Sequence, residues 1–504
     1  MAMLVASAMM LGTAWVSDDA FITLRVIDNF INGYGLRFNV IERVQVFTHP
    51  LWLMLLTPFY ALTRESMFTA MLVSVGLSLG AMWLLATKLA QSLEVGYWLV
   101  AAAMASGTIC SFSTSGLETP LTFFLLVLLV WKLYHSARVE IPAAIVGLLL
   151  LNRLDMVVLL GPAAAYLLIR ARGRERNLAT LAIIFPALAW MAFSVFYYGA
   201  PFPNTAYAKL GNGFSTITLL LRGAEYIRDF VFTDPLLALI IGKAVFDSVR
   251  SRNITTILLG VGIVCYVTYT IIIGGDFMSG RFFAVPGLLA ICLLARSPVP
   301  QWLRTRQKLA VLLSLALLGL LLVARILEAP MTTLEISENG ISDERRFYYA
   351  DTGLLPVLTK WVQTGARPVP QSGRRGLELK AMGQGTGSPI VVSAQAIGMR
   401  GYYGGTNVYI VDEVALADAF LARLPAVPES RVGHYRRLLP PGYAETVGYA
   451  VPATDMELLR PLLHDVTLAT RAPLFTEGRW DAIWRLASGY YHWVYETDIY
   501  GLRK

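Results

Sequence analysis

Cysteine is nearly absent: Cys110, Cys265 and Cys292 are the only three in 504 residues. All three lie in apolar stretches, so the chain offers no disulfide framework and no cysteine-based metal site. Charge is scarce as well. Asp, Glu, Lys and Arg make up 15% of the residues against 56% hydrophobic ones. With a positive mean hydropathy, that balance excludes an ordinary soluble protein and indicates a polytopic membrane protein. Histidine is rare, and His434 and His464 lack metal-ligand spacing. There is no His-Glu-x-x-His pattern, no nucleophile elbow and no Walker-type glycine loop. The internal repeats expected of many transporters are also missing. The net charge is +8, but much of it sits in short loops between apolar spans, which reads as topology rather than as a nucleic-acid surface.

What the chain does have is apolar runs approaching the roughly 20 residues that a span needs. They fall at 1–16, 66–87, 95–113, 117–134, 141–151, 155–169, 178–198, 233–248, 254–273, 281–296 and 309–327. The fifth and sixth read either as two spans or as one long helix broken at Asn152-Arg153-Leu154-Asp155. The first has neither a basic region before it nor a small-residue cleavage site after it, and reads as a retained helix. Arg170, Arg172, Arg174 and Arg176 crowd one loop; Arg250 and Arg252 mark another; Arg296, Arg304, Arg306 and Lys308 mark a third. All three loops share one side if the chain crosses about eleven times with its N-terminus in the cytoplasm. The segment 50–63 then lies along the membrane surface. The expected fold is a helical membrane domain over 1–329, with an outer loop and interfacial helices over 17–65. A water-soluble α/β domain follows over 330–504, with strands at Ile390-Val391-Val392 and Val408 to Asp412 and a helical pattern after each.

In this topology, short polar segments scattered along the chain reach the outer face together. Ser17-Asp18-Asp19 follows the first span and opens an amphipathic helix, with Phe21, Leu24, Ile27 and Ile31 at helical spacing. Carboxylates at a membrane boundary are costly and therefore functional suspects; two in tandem outweigh the ordinary reading as a helix cap. Asn39, Glu42, Arg43, Thr48 and His49 supply short polar side chains suited to sugar hydroxyls, or form a solvated loop. Glu118 follows a Ser-Gly turn and reads equally as a site residue or as an acid that favours a helix N-terminus. Arg153 and Asp155 interrupt an apolar run; they read as a simple pair or as charges that serve a pathway or site. The loop 199–212 carries Asn204 and Lys209, and the turn from Gly274 to Phe282 carries Asp276 and Arg281. Guanidinium forks around phosphate oxygens, which makes Arg281 the better phosphate ligand and Lys209 a second. In the C-terminal part, Asp412 and His434 could serve acceptor binding or docking, or be plain surface residues.

Seven motifs occur in order: Asp-Asp-Ala-Phe-Ile, Gly-x-Gly-Leu-x-Phe-Asn, Glu-Arg-Val, Thr-x-Pro-Leu-Trp, Ser-Gly-Leu-Glu-Thr-Pro-Leu, Pro-x-Pro-Asn-Thr-x-Tyr-Ala-Lys and Gly-Gly-Asp-Phe-Met-x-Gly-Arg-Phe. This order resembles the GT-C membrane glycosyltransferases. Within them it is most similar to the terminal arabinofuranosyltransferases of mycobacterial cell-wall synthesis and their Gram-negative relatives, one type of which modifies type IV pilin. The resemblance extends through Val411 to Asp418 and Gly433-His434. It departs at Gln45, Phe47 and His49, where the mycobacterial pattern has Glu, Tyr and usually Asn, and at Arg153-Leu154-Asp155, where Arg-Pro-Asp/Glu is usual.

The resemblance implies a multi-pass protein of the bacterial inner membrane, with its active site and C-terminal domain in the periplasm. It implies a polyprenyl-phosphate sugar as donor, membrane lipid as surroundings, and a pilin or cell-wall glycan as acceptor. Asp18 or Asp19 would be the catalytic acid. Arg281, Lys209 and Arg153 would bind donor phosphate, and Asn39, Glu42, His49, Glu118, Asn204, Asp276, Asp412 and His434 would line the sugar and acceptor sites. No cofactor and no metal ligands are expected, a divalent ion being left open. The rival readings are a polyprenyl-phosphate-sugar flippase, a GT-C transferase for another sugar such as mannose, and a glycan-binding receptor.

Overall fold

Helices dominate because apolar, weakly β-branched runs can satisfy every backbone group internally, as lipid demands. In the computed structural model, residues 1–210, 213–296, 306–328, 340–385, 388–431, 433–497 and 499–500 are described. A helix lies over each of the eleven expected segments. By length and composition, four helices among the described residues are long and apolar enough to cross a membrane: Met67–Leu89, Gly173–Tyr198, Ile254–Ile272 and Lys308–Leu327. The others are shorter, and Arg304 of the third basic loop lies outside the described residues.

One expected span, 95–113, is divided between two helices, and the fifth and sixth are two helices and not one. Leu93–Ala105 and Gly107–Phe112 meet at Ser106, whose Oγ caps Ile109 N at 3.1 Å and donates to Asp234 Oδ2 at 2.6 Å. Glu140–Asn152 and Met156–Arg170 are separated at Arg153-Leu154-Asp155, the stretch where polar residues interrupt the apolar run. Pro50–Thr63 is about 21 Å long at 1.5 Å per residue. It buries Trp52, Leu53, Leu56 and Tyr60 while exposing Met54, Phe59 and Leu62.

The chain divides into two compact units that interleave in sequence. Unit 1 comprises Met1–Ser17, Met67–Ala187 and Thr216–Pro368; unit 2 comprises Asp18–Ser66, Leu188–Ser215 and Val369–Lys504. A single cut at 329/330 was expected; that point lies outside the described residues, and the units follow a different division.

Unit 1 is helical. Its helices approach closely through glycines: a Cβ at Gly262 would collide with the Leu159 carbonyl, and one at Gly147 with that of Ala182. Small residues of this kind let apolar helices pack backbone to backbone where no hydrophobic drive separates helix from lipid. The helix Arg281–Leu294 is buried nearly all round, through Phe283, Val285, Leu288, Leu289 and Ile291.

Unit 2 is built around the helix Asp18–Ile31 and a two-stranded parallel sheet, β1 (Ile390–Ala394) and β2 (Val408–Asp412), in register from Ile390↔Val408 to Ala394↔Asp412. β2 is wholly buried, and the crossover carries the short helix Gly398–Gly404. The helical pattern expected straight after β2 is instead a turn leading to the 3-10 segment Leu421–Arg423. Gly398 and Gly401 let the crossover helix lie on Asp18–Ile31: a Cβ at either would overlap Asp18 or Arg25. Phe21 fills the same seam against Tyr402 and Tyr403, with ring centroids 5.5 and 6.0 Å away.

Candidate active site

Unit 1 gathers charged residues from three separate places in the sequence. Arg153, at the break between two apolar helices, forks onto Asp155 with Nε to Oδ1 at 3.0 Å and Nη2 to Oδ2 at 2.5 Å. Its Nη1 donates to Glu118 Oε1 at 3.2 Å, and Nη2 also donates to the Tyr266 hydroxyl at 3.2 Å. That hydroxyl donates to Asp155 Oδ2 at 2.7 Å. Arg281 lies 3.6 Å from Glu118 Oε1 and 3.6 Å from Asp276 Oδ2. Glu118 and Asp276 are almost fully buried, whereas the Arg281 side chain keeps 15% exposure.

The local sequence explains each placement. Gly274, Gly275 and Gly280 have positive φ, between 73° and 85°. They turn the chain tightly between Ile254–Ile272 and Arg281–Leu294, so Asp276 and Arg281 face each other across one loop. Tyr226 braces that loop, donating to Met278 O at 2.8 Å and accepting from Phe282 N at 3.2 Å. Glu118 is held at the head of Thr119–His135, where Asn152 Nδ2 donates to its carbonyl at 3.3 Å. Three carboxylates and two guanidiniums in a mostly buried setting form strong, directional pairs. Arg281 is the partly exposed cation of the group.

Unit 2 treats its acids differently. Asp18 is buried, and its two oxygens accept from Gly398 N and Met399 N, each at 2.8 Å. Burial raises its pKa against the pull of those two N–H groups. It joins the helix Asp18–Ile31 to the crossover helix Gly398–Gly404. The sequence offered either member of the pair as the catalytic acid; the geometry makes Asp18 an anchor, while Asp19 is half-buried.

Several other expected contact residues of unit 2 are also used internally. Asn39 clasps β2, giving Nδ2 to Ile410 O at 3.0 Å and accepting Ile410 N at 3.1 Å. Glu42 accepts from Tyr409 OH at 2.8 Å and pairs with Arg471 at 3.1 Å. Asn204 Nδ2 reaches the carbonyls of Ala415, Leu416 and Asp418 at 2.8 to 3.1 Å. Asp412 is fully buried, accepting from Val414 N and Ala417 N; burial pushes its pKa up to about 7. His49 bonds Thr23 Oγ1 at 2.8 Å, and His434 bonds Arg431 at 3.2 Å. Lys209, in the short helix Asn204–Leu210, is half-buried.

The sequence reading missed Tyr266, Tyr226, Arg471 and Tyr409 as partners of these groups. The first two were hidden as aromatics in apolar surroundings, and Arg471 sits at an ordinary helix end. An unbroken apolar helix face carrying a tyrosine opposite an intramembrane acid would have been the available signal.

No protein-family model matches the chain. Curated proteins do. The terminal beta-(1->2)-arabinofuranosyltransferase of Mycobacterium tuberculosis is 28% identical over a 516-residue alignment, covering 84% of this chain and 81% of that protein. The chain resembles the terminal arabinofuranosyltransferases. The protein of the same name from Corynebacterium glutamicum is 29% identical over 347 residues, covering 57% of this chain and 48% of that relative, so about half of its length. By this resemblance the chain is an enzyme of the glycosyltransferase class. Among solved structures, apo ArnT from Cupriavidus metallidurans aligns at 15% identity with a TM-score of 0.43, covering 82% of this chain and 74% of that one. The archaeal oligosaccharyltransferase AglB from Archaeoglobus fulgidus, in complex with an inhibitory peptide and a dolichol-phosphate, aligns at 9% with 0.45, covering 82% and 63%. Both likenesses are too loose to carry an argument.

Of the residues that depart from the arabinofuranosyltransferase pattern, Gln45, Phe47 and His49 are buried in unit 2, whereas Leu154, in unit 1, is 43% exposed. Gln45 accepts from Ser194 Oγ at 2.7 Å, and Phe47 packs against Trp190, Tyr198 and His49.

Proposed function

We propose that the chain is a GT-C-type membrane glycosyltransferase that moves an arabinofuranosyl residue from a polyprenyl-phosphate donor to a protein or glycan acceptor outside the cytoplasm. The observation that carries this reading is the cluster of Glu118, Arg153, Asp155, Asp276 and Arg281, assembled from distant parts of an apolar chain. Such charges are expensive in a membrane protein and mark a site or pathway. The similarity to arabinofuranosyltransferases supports the choice of sugar. Eleven crossings, a periplasmic face for this cluster and a bacterial inner-membrane location belong to the same reading.

In the reaction, the acceptor hydroxyl attacks the anomeric carbon, the bond from that carbon to the phosphate oxygen breaks, and polyprenyl phosphate leaves. The leaving phosphate already accepts charge well, so cationic neutralisation is the main demand and no resident metal is assigned. Arg281 is the phosphate ligand in this scheme. Arg153 positions Glu118 and Asp155, and Glu118 and Asp276 hold Arg281 until phosphate competes for it. The acceptor proton goes to a carboxylate, for which Asp18 and Asp19 are the candidates.

The test is sugar transfer by purified protein in detergent, with a synthetic polyprenyl-phosphate arabinofuranose and mass analysis of the acceptor. An enzyme works there without a sealed compartment, whereas a flippase gives no product. Arg281→Ala is expected to reduce transfer about a hundredfold, and Asp19→Asn by a similar or larger factor. Full transfer by both variants would overturn the assignments.

A further inference from the structure

The short helix Arg479–Ala487 in unit 2 is two-faced. It buries Ala482 and Ile483 and exposes Trp480 at 49% and Trp484 at 73%. Trp480 and Trp484 lie four apart, on one side of the helix. Phe475, just before it, is 85% exposed. Large aromatics this bare on a folded surface are unusual and mark something that covers them.

Their position says what. Arg479 Nη2 donates to the carbonyl of Tyr197 at 3.3 Å, and Arg43 Nε donates to the same carbonyl at 2.9 Å. Tyr197 is the penultimate residue of Gly173–Tyr198, a 26-residue apolar helix with only 17% of its most apolar window buried. Gly199, at φ +79°, turns the chain out of that helix, and a Cβ there would meet Ile483 at 3.3 Å. Phe475 also contacts Phe196, with centroids 5.9 Å apart. Thus the buried side of Arg479–Ala487 is fastened to the last turn of a lipid-length helix, and its aromatic side is continuous with that helix's end.

From this continuity we infer that Phe475, Trp480 and Trp484 form an interfacial anchor, seated in the headgroup layer where the helix Gly173–Tyr198 leaves the bilayer. Tryptophan suits that layer because its ring is apolar and its indole N–H still reaches water or headgroup oxygens. Glu477 and Asp481 are exposed beside the aromatics, which favours a zwitterionic headgroup over an anionic one. The inference is independent of the sugar and of the reaction; it needs only that Gly173–Tyr198 crosses the membrane.

The test uses the full chain with Cys110, Cys265 and Cys292 replaced, and single spin labels introduced by Phe475→Cys, Trp480→Cys and Trp484→Cys. The protein is placed in phosphatidylcholine nanodiscs, with Glu457→Cys as an exposed reference. Seating in lipid predicts an oxygen-to-nickel-chelate accessibility ratio several-fold higher at 475, 480 and 484 than at 457. Equal ratios would overturn the proposal, whether water, glycan or another protein covers the patch. Should a cysteine variant fail to fold, the unlabelled chain serves: lipids brominated near the headgroup should quench the intact protein more than Trp480→Phe/Trp484→Phe. Identical quenching would equally overturn it.

Discussion

Both units bury carboxylates, and two groups of them are satisfied by different partners. In unit 1, Glu118, Asp155 and Asp276 are met by the guanidiniums of Arg153 and Arg281 and the hydroxyl of Tyr266. In unit 2, Asp18 and Asp412 accept from backbone N–H groups. A backbone donor cannot leave its post without unfolding the segment that carries it, whereas a side chain can exchange one anion for another at little cost to the fold. Acids of the first kind can therefore exchange partners, and acids of the second kind hold the chain together.

The largest expected effect comes from breaking the unit 1 arrangement at its centre. Arg153→Met removes the fork on Asp155 and the bond to Glu118 together, and should cost about 3–5 kcal/mol, as loss of one member of a buried ion pair does. Thermal unfolding in detergent measures this; an unchanged midpoint would mean that the pairs are not buried as described. In unit 2, Asp18→Ala leaves two buried N–H donors unmet and should cost about 3 kcal/mol. Asp19→Ala, at a half-buried position, should cost no more than about 1 kcal/mol. If the two variants unfold at the same temperature, the distinction between a buried anchor and a half-buried acid fails.

How much of this was legible in the sequence depends on how far apart the partners lie. The break at Arg153-Leu154-Asp155 could be read because polar residues stand in an apolar run, and β1 and β2 because β-branched residues cluster there. The convergence of Glu118, Arg153, Asp276 and Arg281 followed from counting crossings, each residue being the odd one in its surroundings. Asp18 could not be read as an anchor. Its partners are backbone groups 380 and 381 residues away, and a backbone N–H leaves no mark in the sequence. The break at Ser106 was hidden for the same reason, since Asp234 stabilises it from 128 residues downstream. The interleaved units were hidden too, because hydropathy follows the chain while contacts do not.

Burial of Asp412 also predicts a response to pH. Asp412 would ionise near 3.8 in the unfolded chain, and burial raises this to about 7 in the folded one. Between those values the folded state binds the extra proton, so its contribution to stability is fully present below about pH 4 and is lost as pH rises towards about 7. The slope is at most about 1.4 kcal/mol per pH unit for one proton. Asp412→Asn should flatten this part of the stability-pH curve; a slope identical to that of the parent chain would show that Asp412 does not carry it.

The smallest effect probes the place where unit 2 behaves most like unit 1. The Tyr409 hydroxyl donates to Glu42 at 2.8 Å and accepts from Arg471 at 3.2 Å. Tyr409→Phe keeps the buried ring and removes both bonds, yet Glu42 retains Arg471 at 3.1 Å and Asn39 at 3.2 Å. The loss should therefore stay near 0.5–1.5 kcal/mol, roughly that of ordinary hydrogen bonds. A double-mutant cycle with Glu42→Gln separates the two possible meanings of a larger value. Additive losses would indicate independent contacts. Coupling above about 1 kcal/mol would show that these side chains act as one network, and the division between side-chain acids in unit 1 and backbone-held acids in unit 2 would then have to be drawn residue by residue, not unit by unit.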